Sequence, residues 1–173
     1  MGALRGWVTM SSWYSFGLAC DLREDTPPTV LALLKYLAGL EDDDYVPPSE
    51  NSLPFDIEAY RSNFINYGPF HQFPGAVGAV LQRTWRNFFE GGESGDRYTF
   101  SFHCEMHEDE FGEQSWTFVK WLAPYTETEG IGYFYSKLST TPTPFYFRDG
   151  KAEFYEVELK HIGTLDKDIP ATS

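Results

Sequence analysis

From Trp13 to Leu22 the chain alternates, with Phe16, Leu18, Cys20 and Leu22 on one side and Ser15, Gly17, Ala19 and Asp21 on the other. A period of two predicts a half-buried strand. Asp25-Thr26-Pro27-Pro28 follows, a capping hydroxyl ahead of a proline suited to a first helical turn. Val30, Leu33, Leu34 and Leu37 then recur at helical spacing and Gly39 supplies a stop. Farther on, Tyr98, Phe100, Phe102, Cys104 and Met106 form a second alternating face. Phe118, Trp121, Leu122 and Tyr125 form a second helical stripe, interrupted by Pro124. A glycine-marked strand is predicted after each helix, at Ala76–Leu81 and at Gly130–Tyr135.

The two halves share residues as well as grammar. Phe16-x-Leu18-x-Cys20-Asp21-Leu22 recurs as Phe100-x-Phe102-x-Cys104-Glu105-Met106, an offset of 84 (100 − 16). Lys35-Tyr36-Leu37-Ala38-Gly39 recurs as Lys120-Trp121-Leu122-Ala123-Pro124, an offset of 85 (120 − 35). One inserted residue reconciles them, which points to an internal duplication with repeats at about 13–90 and 97–140 in a single domain, 1–173. The first copy carries an insertion at about 41–70 that opens with Glu41-Asp42-Asp43-Asp44 and Pro47-Pro48, as a surface excursion does. Its later aromatics, Phe55, Tyr60 and Phe64 among them, are expected to pack back onto the body. Asp149-Gly150 between two aromatic runs predicts an extra C-terminal β-hairpin at 143–158.

Two strand-helix-strand units in tandem predict an α+β fold, an antiparallel sheet with helices on one face. The plan resembles the ferredoxin-like β-α-β-β-α-β arrangement. A pseudo-two-fold version resembles the dimeric α+β barrel proteins, of which some bind haem or catalyse isomerisation and others do neither. A likeness of architecture carries no function with it.

Charge narrows the partners. Thirteen basic against 26 acidic residues give a net charge of −13, which repels nucleic-acid phosphates and anionic lipid. It suits a basic protein partner or a cationic ligand. Aromatics make up 18% of the chain, enough to line an interface as well as a core. No run reaches the ~20 apolar residues that cross a bilayer, and Met1-Gly2-Ala3-Leu4-Arg5 does not open a signal peptide, so a cytoplasmic setting is expected. Cys20 and Cys104 occupy equivalent repeat positions and read as buried thiols.

The candidate chemistry lies on the polar side of the second repeat strand, where His103, Glu105 and His107 alternate. Neighbours two apart project to one side at ~7 Å, and two imidazoles with a carboxylate form a ligand set used for zinc and non-haem iron. The outer pair are ~13 Å apart, too far for all three to hold one ion easily, so no metal is assigned and no cofactor is specified. Pairing Cys20 with Cys104 across the sheet would place Asp21 opposite His103 as a fourth member. Nucleophile elbows, dinucleotide glycine motifs and zinc-type cysteine pairs are absent from the sequence. Two readings follow: a cytoplasmic binding protein, as a homo-oligomer or with a basic protein partner, and a small enzyme with an acid–base cluster of His103, Glu105, His107 and Asp21 acting on a small-molecule ligand. The hairpin aromatics Phe145, Tyr146, Phe147, Phe154 and Tyr155 are expected to contribute to an interface.

Overall fold

The computed structural model describes residues 13–40, 44–49, 52–65, 78–86, 95–127, 130–136, 139, 141–158 and 160. Among these the chain forms an α+β structure, a six-stranded antiparallel sheet with three α-helices. In chain order the elements are β1 (Trp13–Asp21), α1 (Pro28–Leu37), α2 (Ile57–Ile65), β2 (Gly78–Arg86), β3 (Gly95–His107) and α3 (Glu108–Leu122). A short 3₁₀ turn (Ala123–Tyr125) leads on to β4 (Ile131–Ser136), β5 (Thr143–Arg148) and β6 (Lys151–Phe154). The strands lie in the order β2-β3-β1-β4-β5-β6, so the two alternating segments of the sequence are neighbours inside the sheet.

The alternation translates directly into burial. Phe16, Leu18, Cys20 and Leu22 join Phe100, Phe102, Cys104 and Met106 in one core with Leu33, Leu34 and Leu37 of α1 and Phe118, Val119 and Leu122 of α3. Leu37 and Leu122 are fully buried, each worth roughly 1.5–3 kcal/mol of apolar transfer. Aromatic rings hold the centre: Phe16 meets Phe102 edge-on at 4.7 Å and stacks on Phe134 at 4.5 Å.

Helix ends show where local signals held. Gly39 takes φ 68°, and the Gly39 and Leu40 amides donate back to the carbonyls of Tyr36 and Lys35. That closure needs a left-handed residue, hence the glycine. The expected hydroxyl cap on α1 is not made. Pro27 is the N-cap residue, and the Thr26 hydroxyl turns away to donate to the Arg23 carbonyl at 2.7 Å. Pro124, with no amide to donate, converts the end of α3 into the 3₁₀ turn.

Within the acidic excursion lies α2, which the sequence reading passes over. Asp56 accepts from the Ala59 amide at 3.0 Å, and Ile57, Tyr60 and Phe64 are buried against the body. Tyr60 stacks on Phe118 at 4.7 Å and Phe64 on Phe102 at 4.3 Å. A clasp fixes α2 to α1: the Tyr36 hydroxyl donates to Glu58 at 2.6 Å, and the Arg61 guanidinium lies 4.0 Å above the Tyr36 ring.

At the far edge β5 pairs with β4 and β6 pairs with β5 across Asp149-Gly150. Asp149 and Gly150 both take positive φ, 49° and 69°, as this tight turn demands. Phe145 and Phe147 are wholly inside the core, so this ribbon extends the sheet and buries one side. Of its large aromatics only Phe154 and Tyr155 stand well exposed, at 39% and 38%.

Candidate functional site

Register decides which polar groups meet. In β1 against β3, Gly17 faces His103, Ser15 faces Glu105, Trp13 faces His107 and Asp21 faces Thr99. The expected pairing of Cys20 with Cys104 is displaced by four residues, and Cys20 faces Phe100 instead. An even displacement keeps every side chain on its proper side, so apolar patterning alone does not exclude it. Asp21 consequently sits away from His103, ~13 Å along the strand, and accepts from the Thr99 hydroxyl at 2.7 Å. Thr99 in turn meets the Thr84 hydroxyl at 2.8 Å, a polar link across three strands.

His107 also leaves the cluster. It ends β3 and caps α3: its Nδ1 accepts from the Asp109 amide at 3.4 Å and lies 3.1 Å from the Asp109 carboxylate. Its ring meets Trp13 edge-on at 5.5 Å. Capping and packing account for its position.

His103 and Glu105 remain together. His103 lies between two glycines, Gly78 on β2 and Gly17 on β1, so no side chain flanks it directly in its own cross-strand row. Tyr133, the next residue in that row, fills part of the gap. Its ring covers Gly17, where an added Cβ would come within 2.6 Å of Cε1, and approaches the His103 ring at 6.3 Å between centroids. Burial holds the Tyr133 phenol above its ordinary range. Glu105, one row on, is only 3% exposed and Ser15 opposite it 5%. His103, Glu105 and Tyr133 thus lie in two adjoining rows of one sheet face, with Glu105 buried, His103 half-buried and Tyr133 exposed. Tyr133 joins the other two from another strand, which is why the sequence did not disclose it. Among the described residues no three His, Cys, Asp or Glu side chains gather closely enough to hold a metal ion.

Beside the His103 row runs a different surface. Val80, Ser101, Ala19, Ile131 and Tyr146 form one continuous row across five strands, ending at Glu153 on β6. Val80 and Ile131 are 47% and 48% exposed, and Tyr133, two residues along β4 from Ile131, 38%. Before Glu153 the row carries no ionised side chain. Both thiols lie on the opposite, core side, where burial raises their pKa far above the ordinary value and leaves them poor nucleophiles.

No family model, curated protein or solved structure matches this chain. No helix among the described residues is long and apolar enough to cross a membrane.

Proposed function

We propose that the chain is a binding protein that works as a homo-oligomer through the sheet face bearing Val80, Ile131 and Tyr133. The observation that carries this reading is the exposure of Val80, Ile131 and Tyr133 on one sheet face in a chain of net charge −13. Exposed large apolar side chains that share one sheet face, here Ile131 beside Tyr133 with Val80 farther along the Ile131 row, are candidates for an interaction surface. A basic protein partner is the alternative occupant, drawn by the acidic charge. The neutrality of the row favours a second copy, because a basic partner is best held by carboxylates at the contact. Ile131→Lys tests the proposal: light scattering is expected to show loss of the oligomer with an unchanged melting temperature. A monomeric wild-type chain would remove the homo-oligomer reading.

A small enzyme is the second reading, favoured by the enclosure of Glu105 beside His103. His103 would serve as general acid–base with Glu105 and Tyr133 positioning it and the small-molecule ligand. Asp21 and His107 take no part, being held elsewhere by Thr99 and by the start of α3. His103→Gln is expected to abolish any small-molecule response while leaving stability within ~0.5 kcal/mol, as for other surface changes.

The architecture enters the proposal too. We infer a ferredoxin-like duplication, pseudo-two-fold and dimeric α+β barrel-like, in a single domain with repeats at about 13–90 and 97–140, an insertion at 41–70 and an extra hairpin at 143–158. The order β2-β3-β1-β4 and the matched burial of Leu37 with Leu122 and Ala38 with Ala123 support it. A cytoplasmic setting belongs to the same reading, supported by two buried free cysteines.

A further inference from the structure

A cleft of about 540 Å³ lies on the helix side of the sheet, lined by Trp116, Thr117 and Lys120 of α3 and by Phe154 of β6. It is on the opposite side from the Ile131 row, so its use is independent of the function proposed above. Trp116 and Lys120 stand four apart on α3 and so share one helix face, with Thr117 beside them.

The aromatic wall is built in. Trp116 meets Phe154 edge-on at 4.5 Å and packs at 4.5 Å on Phe134, which is itself in the core. Phe154 also leans on buried Phe145 at 5.4 Å. Rings braced from behind keep their place without a ligand, and a preformed apolar wall binds at low ordering cost. Yet Phe154 remains 39% exposed. Lys120 is exposed and, among the described residues, is the only charged one lining the cleft, in a chain with twice as many acids as bases.

We propose that this cleft binds a small amphipathic anion, a flat apolar body bearing one carboxylate. The body lies against Trp116 and Phe154, and the carboxylate is met by the Lys120 ammonium at the rim. The volume falls within the range of small-molecule sites, and a ligand without the anionic group would leave Lys120 unused. The charge of the whole chain opposes an anion, but salt screens it beyond about 8 Å while the Lys120 contact is direct.

Titration with 2-naphthoate, followed by calorimetry and by the indole NMR signal of Trp116, tests this directly. Saturable binding to one site per chain is expected, with the neutral 2-naphthylmethanol roughly tenfold weaker because it lacks the charge-assisted contact. Lys120→Met should remove that preference and leave the binding of the alcohol unchanged, whereas Phe154→Ser should weaken both. Lys120 is exposed, so its replacement does not endanger folding. Absence of saturable binding at millimolar 2-naphthoate, or naphthoate binding indifferent to Lys120→Met, would overturn the proposal.

Discussion

Leu18 stands directly opposite Phe102 across the central strand pair. In the proposed duplication these are equivalent positions (102 − 18 = 84), so the two-fold relating the halves passes between them. On either side of that axis Phe16 meets Cys104 and Cys20 meets Phe100, each pairing the mirror of the other. Both residues are buried, at 5% exposure each.

Equivalent positions should respond alike. Leu37→Ala and Leu122→Ala each remove a fully buried side chain and should each destabilise the protein by roughly 2–5 kcal/mol in urea unfolding. A loss below about 1 kcal/mol at either position would break the equivalence.

Two strand glycines should differ in cost. A Cβ on Gly132 would overlap the ring of Phe145, which is fully buried and has nowhere to go, so Gly132→Ala should cost about 1–3 kcal/mol. At Gly17 the obstacle is Tyr133, 38% exposed and able to swing outward, and the cost should stay below about 1 kcal/mol. Chemical denaturation measures both. The Gly17→Ala protein should also show a shifted His103 ring signal, since the tyrosine no longer lies beside it.

The two histidines of β3 should separate. His107→Ala deletes the cap of α3 and should lose roughly 0.5–2 kcal/mol. His103→Ala, at a half-buried position flanked by two glycines, should change stability little. Equal losses at both positions would contradict the division between a capping and a site residue.

Stability should fall in alkali. Burial raises the pKa of Cys20, Cys104 and Tyr60 in the folded chain, so each binds its proton more tightly there than when unfolded. Their contribution is complete below the unfolded values, 9.0 for the thiols and 10.0 for the phenol, and is lost as pH rises above them. Urea midpoints should therefore decline above pH 9, and the Cys20→Ala, Cys104→Ala double variant should show a shallower decline from its own starting stability.

Much of this organisation is legible in the sequence because it depends on local periods. The faces of β1 and β3 follow from alternation, and the end of α1 follows from Gly39. The helix α2 was signalled by Asp56 ahead of Ile57, Tyr60 and Phe64, but nine residues beside a proline-rich acidic run give a short period that is easily read as loop. The register of β1 on β3 is set by how the connections and β4 close the sheet, and four residues of slip leave the apolar pattern intact. For the same reason His103 and Glu105 were identifiable as neighbours on one strand, whereas Tyr133, brought in by pairing, was not. The capping role of His107 was hidden because β3 runs into α3 without a linker.

The binding claim is tested most directly by the salt dependence of self-association, followed by sedimentation equilibrium at low and at physiological ionic strength. Two copies that each carry −13 repel one another, while their apolar rows attract independently of salt. Association that strengthens with added salt and disappears in Ile131→Lys is the predicted result. A chain that stays monomeric at both ionic strengths, or an oligomer that Ile131→Lys leaves intact, would contradict it.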